Sequence, residues 1–168
     1  SLASNGKELL VGEYIDRIGA RGSVKSEGRD VIPSPYTTGL LDKFLDGTFV
    51  PAFETARGCP FSCTFCDQGL DETKIVSFST KRMTAELDYV ADRVTKCEGT
   101  KSIAFHDSNW GMYKQDIDIA HHIAELKNKY KWPMYIHCST GKSQLPRIIE
   151  TAKILDGALR ITNAVQSL

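Results

Sequence analysis

The sequence predicts an α/β fold that is built around a parallel sheet. From residue 49 onward, short apolar segments with strand character alternate with longer segments in which apolar residues recur at helical spacing. This alternation is typical of βαβ units, whose strands lie parallel and are joined by right-handed crossovers. Polar residues follow each predicted strand, and the carboxyl ends of parallel strands share one rim, which is where we expect a site.

Four short apolar segments are predicted as strands of this sheet. They lie within residues 49–55 and at residues 102–105, 133–137 and 158–161. A further extended piece is predicted at residues 75–78, between the first and second strands.

Three helices are predicted between the strands, over residues 81–97, 114–130 and 143–156. Ser79 or Thr80 can cap the start of the first helix. The apolar positions that follow helical spacing are Met83, Leu87, Val90, Ala91 and Val94 in the first helix, Ile117, Ala120, Ile123, Ala124 and Tyr130 in the second, and Leu145, Ile148, Ile149, Ala152 and Leu155 in the third.

The first 48 residues are predicted to form a linker or extension that precedes the α/β domain of residues 49–168. A short strand is expected within residues 8–15, and one or two helical turns at residues 40–45. The chain begins with Ser1 rather than methionine, so we expect a fragment whose upstream domain is missing.

Composition is that of an ordinary soluble globular protein and excludes several functional classes. The 168 residues are 41% hydrophobic, and 21 lysine and arginine residues balance 21 aspartate and glutamate residues. No basic excess argues for nucleic-acid binding, and no apolar run reaches the roughly 18 residues of a membrane helix. The amino terminus lacks a secretion signal. We therefore expect a cytoplasmic protein without nucleic-acid or membrane partners.

Three of the five cysteines are crowded at the spacing C-x3-C-x2-C, as Cys59, Cys63 and Cys66. This pattern is a poor disulfide framework and a good metal site. Zinc would need a fourth ligand, such as Cys97 or Cys138. A [4Fe–4S] cluster on three thiolates keeps one iron without a protein ligand, and that iron can bind a small molecule.

These residues closely resemble the signature of the radical SAM family, C-x3-C-x-aromatic-C, with Phe65 in the aromatic position. The resemblance implies a partial (β/α) barrel of the radical SAM type, of which about four βα units are present. It implies that Cys59, Cys63 and Cys66 bind a [4Fe–4S] cluster whose open iron holds S-adenosylmethionine. Phe65 would pack against the adenine. Such enzymes cleave S-adenosylmethionine reductively to a 5′-deoxyadenosyl radical, which abstracts a hydrogen atom.

The segment before the sheet resembles a linker of cobalamin-dependent radical SAM proteins. Residues 32–36 read Ile-Pro-Ser-Pro-Tyr and are followed by Gly39 and by Leu41-Asp42. The resemblance implies a parent protein that uses cobalamin in a methyltransferase-type reaction. No Asp-x-His-x-x-Gly loop occurs in this sequence, so we do not expect this chain itself to bind cobalamin. An ordinary proline-bearing linker is the alternative.

Further candidate cofactor contacts follow the later strands. Residues 107–111 resemble an Asp-x-Asn-aromatic-Gly version of the family segment that holds the methionine amino group, although such residues also suit turns and caps. The candidates are Asp107, Ser108 and Asn109 after the second strand, Ser139 after the third, and Thr162 and Asn163 after the fourth.

The resemblance also implies partners: an electron donor such as flavodoxin or ferredoxin, and a small-molecule or macromolecular substrate that this sequence does not identify. An incomplete barrel leaves an open sheet edge, which would allow a homodimer. Two alternatives stay open. One is a zinc-bearing or metal-free α/β module without turnover, and the other is an inactive fragment.

Overall fold

The computed structural model describes residues 2–4, 9–11, 30, 32–66 and 75–161. The strands are β1 (Leu2–Ser4), β2 (Leu9–Val11), β3 (Ala52–Phe53), β4 (Ala56–Arg57), β5 (Val76–Ser77), β6 (Ser102–Trp110) and β7 (Tyr135–Thr140). The helices are α1 (Thr80–Val94), α2 (Lys114–Tyr130) and α3 (Leu145–Ile154), and a 3₁₀ turn covers Asp42–Phe44.

A three-stranded parallel sheet in the order β3–β6–β7 forms the centre of the fold. Phe53 pairs with Phe105, and Ile103 pairs with Ile136 on the other side of β6. The predicted α/β fold with a parallel sheet is therefore confirmed. The fourth predicted strand is less than expected, because in the described chain it is a single parallel bridge between Ile136 and Leu159. Pairing of the open edge with a second copy stays a prediction.

Two small antiparallel pairs accompany this sheet, β1 with β2 and β4 with β5. The chain passes from β3 into β4 within three residues, and Ala56 of β4 then pairs with Ser77 of β5. The extended piece predicted at residues 75–78 is thereby confirmed as β5. Because β4 and β5 are partners, they bring the two ends of the segment that carries the cysteines together.

The three predicted helices are confirmed, although α1 and α3 end two to three residues before their predicted ends. The predicted apolar stripe of α1 is buried, whereas Leu145 and Ile149 of the predicted α3 stripe are 50% and 39% exposed. In α1 the side chain of Ser79 accepts a hydrogen bond from the amide of Arg82 at 3.1 Å, so Ser79 is the cap. The core side chains of α1 are Met83, Leu87, Val90, Ala91 and Val94, all buried as predicted. No helix in the described part of the chain is long and apolar enough to cross a membrane.

Part of the predicted extension packs against the sheet. Tyr36 and Leu45 lie in the same hydrophobic core as the helices. The hydroxyl of Tyr36 donates to the carbonyl of Ala52 at 2.7 Å and accepts from its amide at 3.0 Å. This segment therefore fixes the start of β3, while the domain boundary at residue 48 stays a prediction.

Candidate cofactor and metal site

Strand β6 is longer than predicted, and the added part carries the candidate site residues. Residues 106–111 are expected in a loop, whereas β6 continues to Trp110. Between Phe105 and Trp110, the partner positions on β7 advance only from Cys138 to Thr140. The extra residues of β6 form a bulge, which redirects side chains near the end of a strand.

Buried side chains alternate along β6 up to this bulge. Ile103 and Phe105 are apolar, whereas Asp107 and Asn109 continue the same buried face with polar groups that are 3% and 2% exposed. The rings of Phe105 and Phe53 lie 5.8 Å apart between centroids. Beyond this pair, β6 contacts the chain that leads into the cysteines.

Asp107 binds the segment that follows β3. Its Oδ2 accepts the amide of Thr55 at 2.9 Å, and its Oδ1 accepts the Thr55 hydroxyl and the Ala56 amide, each at 2.6 Å. Burial raises the pKa of Asp107, and the hydrogen bonds from Thr55 and Ala56 oppose that rise. Both carboxylate oxygens are thus engaged with the protein, which gives Asp107 a positioning role. Its predicted contact with a cofactor stays untested.

Asn109 contacts the first cysteine of the motif. Its Nδ2 donates to the Sγ of Cys59 at 3.3 Å. Its Oδ1 is buried and has no hydrogen-bond partner among the described residues. A buried acceptor without a partner costs about 1–3 kcal/mol, so a ligand that presents a donor at this atom would be favoured.

The other two cysteines lie in a more exposed turn. The amide of Cys66 donates to the carbonyl of Cys63 at 3.1 Å, and Phe65 between them is 70% exposed. Gly58 has a φ of 103°, a conformation that glycine adopts at no steric cost, and it turns the chain from β4 into this loop. Residues 67–74, which follow the motif, lie outside the described chain.

The donor set fits an iron–sulfur cluster in its chemistry. Cys59, Cys63 and Cys66 are free thiols and each is partly exposed. Three soft donors within eight residues suit such a cluster. Within the described ranges, however, no three His, Cys, Asp or Glu side chains are gathered as a metal-binding group. The structure thus holds Cys59 in place and leaves the common ligand set a prediction.

The two remaining cysteines do not complete a zinc site in the described chain. Cys97 is exposed just after α1. Cys138 packs against the core, and burial raises the pKa of its thiol to about 12.

Two polar residues that the sequence analysis did not single out lie close to the site. Asp116 at the start of α2 is fully buried and accepts the amide of Tyr113 at 2.9 Å. Burial raises the pKa of Asp116 to about 7, and the charge of Asp107 adds to the rise. Burial likewise raises the pKa of Tyr113 to about 12, with the charge of Cys59 as the next cause. In a sequence, an aspartate in the first turn of a helix indicates a cap, so the pattern gives no sign that Asp116 is buried.

The remaining predicted contacts are less informative. Ser108 is partly buried within the bulge, and Ser139 is exposed near the end of β7, the strand next to β6. Thr162 and Asn163 lie outside the described residues. The structure therefore brings together Cys59 and Asn109 and links them to Asp107 through the Thr55–Ala56 segment.

Similarity to known proteins extends over most of the chain. No protein-family model matches the chain. The chain is 28% identical over 128 residues to the cobalamin-dependent radical SAM methyltransferase TokK of Streptomyces tokunonensis. It is 29% identical over 128 residues to the 2-(S-pantetheinyl)-carbapenam-3-carboxylate methyltransferase of Streptantibioticus cattleyicolor.

Each match spans 72% of this chain but 18% of the relative, so the chain spans less than a fifth of the length of either protein. The predicted resemblance to radical SAM proteins of the cobalamin-dependent type is confirmed by these similarities. The partial β/α architecture of the described residues is compatible with a fold of that type.

Proposed function

We propose that this chain supplies the cluster-binding part of a radical SAM enzyme. Cys59, Cys63 and Cys66 would hold a [4Fe–4S] cluster and leave one iron free for S-adenosylmethionine. The similarity to a protein named as a radical SAM methyltransferase supports this assignment. The observation that carries it is the contact between Cys59 and Asn109 at the carboxyl end of β6, because cofactor sites of parallel β/α folds lie at that rim.

The residues of the chain would divide the work around these groups. The chemistry that the bound groups supply is reductive cleavage of S-adenosylmethionine to a 5′-deoxyadenosyl radical, which abstracts a hydrogen atom from the substrate. Asp107 fixes the backbone at Thr55 and Ala56, and so sets where the cysteine loop begins. Asn109 offers its unpartnered Oδ1 to an N–H donor of the cofactor.

The other predicted contacts complete this proposal. Phe65 is exposed on the turn and free to pack against the adenine. Ser108 would contact the methionine part of the cofactor together with Asn109. Ser139, Thr162 and Asn163 would bind its ribose or carboxylate. For the whole protein we propose a flavodoxin-like or ferredoxin-like electron donor, a cytoplasmic location and a methyltransferase-type reaction. Cobalamin would be bound outside this chain.

Anaerobic reconstitution tests this function. The chain is treated with iron and sulfide, reduced, and incubated with S-adenosylmethionine, and 5′-deoxyadenosine is measured. We expect cofactor cleavage by the wild-type chain and none by Cys63→Ala. Cys97→Ala is the matched control, because that thiol is exposed after α1 and outside the motif. A Cys63→Ala chain that assembles the cluster and cleaves the cofactor would overturn the ligand assignment.

A further inference from the structure

We propose that Asn109 is a positioning residue whose side-chain amide sets the reduction potential of a cluster held by Cys59. This inference rests on the proposed function, since it requires an iron–sulfur cluster at the cysteine motif. The observation behind it is the N–H···S contact of 3.3 Å between Nδ2 of Asn109 and Sγ of Cys59. The contact joins residues that are 50 positions apart in the sequence, so the fold creates it.

The direction of the effect follows from charge. Reduction adds one electron, whose negative charge is shared by the cluster and the cysteine sulfur atoms that bind it. A hydrogen-bond donor that points at a cysteine sulfur stabilises this added charge, so it favours the reduced form and raises the potential. The effect is larger where water is excluded, and Asn109 is 2% exposed.

The fold holds this amide in a fixed position. Asn109 lies in the bulge of β6, between two residues that are anchored to the core. Asp107 binds the Thr55–Ala56 segment, and the ring of Trp110 stacks on that of Phe105 at 4.6 Å between centroids. The donor therefore belongs to the sheet, while the sulfur that it contacts belongs to the loop.

The orientation of the amide also fits a role toward a ligand. Its Oδ1 is buried without a partner among the described residues, so no hydrogen bond from that part of the chain satisfies the oxygen. A side chain that served only to stabilise the fold would be expected to satisfy both ends of its amide. In Asn109 only the Nδ2 end is satisfied, and its partner is the sulfur of Cys59.

Redox titration of the reconstituted wild-type chain, Asn109→Leu and Gln115→Leu tests the inference. Leucine has the same branched shape as asparagine and removes the donor without adding charge. Gln115 is the matched amide, because its Nε2 donates to the carbonyl of Thr55 at 3.4 Å and contacts no sulfur in the described chain. We expect Asn109→Leu to lower the midpoint potential so that about tenfold less cluster is reduced at a fixed potential, which is about 59 mV for one electron. Gln115→Leu should keep the wild-type potential.

The outcomes separate this inference from the function on which it rests. If Asn109→Leu and wild type have equal potentials, or if both variants shift equally, the inference is wrong while the proposed function stands. If the wild-type chain takes up no cluster, both fail. Asn109→Ser is the second variant, because its short hydroxyl cannot reach the sulfur, and it should shift in the same direction. Loss of the cluster from both Asn109 variants, with Gln115→Leu unaffected, would indicate a purely structural role and contradict the inference.

Discussion

The two ends of the cysteine motif differ in how the fold holds them. Before Cys59, the backbone at Thr55 and Ala56 is bound to the buried carboxylate of Asp107, and the thiol of Cys59 itself contacts Asn109. The turn from Cys63 to Cys66 is closed by a backbone hydrogen bond and exposes Phe65. The sheet therefore positions the thiol of Cys59, whereas the exposed turn from Cys63 to Cys66 depends far less on the core.

The largest effect on stability is expected when the anchor before Cys59 is removed, that is, the hydrogen bonds from Thr55 and Ala56 to the carboxylate of Asp107. Asp107→Ala leaves three buried donors on Thr55 and Ala56 without their acceptor. We expect the free energy of unfolding to fall by about 3–5 kcal/mol, measured by urea denaturation. Asp118→Ala is the control, because that carboxylate is exposed on α2, and it should stay within about 0.5 kcal/mol of wild type. A loss below about 1 kcal/mol for Asp107→Ala would contradict the anchor.

A pH dependence is expected from Asp116, which lies beside this anchor. Its pKa is raised from 3.8 to about 7 in the folded chain, so the folded state favours the protonated form. The resulting contribution of Asp116 to the free energy of unfolding is fully present below about pH 4 and is lost as pH rises through 7. Its upper limit is about 4 kcal/mol. Asp116→Asn keeps an acceptor for the amide of Tyr113 but does not ionise.

The measurement is the difference in unfolding free energy between wild type and Asp116→Asn from pH 5 to pH 8. We expect wild type to lose stability relative to the variant as the pH rises. A difference that is constant with pH would mean that Asp116 titrates normally in the folded chain.

A smaller loss is expected when one bond of the anchor is removed. Thr55→Val keeps the shape of the side chain and removes the hydroxyl that donates to Asp107 at 2.6 Å. Since the Thr55 and Ala56 amides still bind the carboxylate, we expect a loss of about 2 kcal/mol in urea denaturation. Thr84→Val is the control, because that hydroxyl bonds only to the preceding turn of α1 in the described chain. Equal losses for the two variants would mean that the Asp107 contact has no special weight.

The smallest effect on stability is expected at the second end of the motif. Phe65 is 70% exposed, so Phe65→Ala should change the unfolding free energy by less than about 0.5 kcal/mol. The same substitution at Phe53, which is 2% exposed, should cost about 3–5 kcal/mol. We expect Phe65→Ala instead to weaken the affinity for S-adenosylmethionine in the reconstituted chain. A strong loss of stability at Phe65 would show that the turn is packed in solution.

Local patterns in the sequence predict much of this fold. The helices are amphipathic, so the stripe of Met83, Leu87, Val90 and Val94 identifies the buried face of α1 without knowledge of its neighbours. The second and third predicted strands begin within two residues of their predicted starts, but both continue beyond their predicted ends. Asp107 and Asn109 have the composition of a turn, and only their partners on the segment of residues 55–59 explain why β6 continues through them.

The sequence predicts only those residues of the candidate site that belong to a local motif. Spacing alone predicts Cys59, Cys63 and Cys66 as candidate ligands, because a local motif carries its own signal. The roles of Thr55 and Asp116 depend on contacts between distant residues or on depth of burial, which a single sequence does not display. The anchored end of the motif was therefore harder to predict than the exposed end.

The most direct test of the account is the metal content of the chain after anaerobic reconstitution. We expect about four iron and four sulfide per chain, with a large loss when Cys59, Cys63 or Cys66 is replaced by alanine. Uptake of one zinc per chain without sulfide, or iron binding that survives all three replacements, would contradict it.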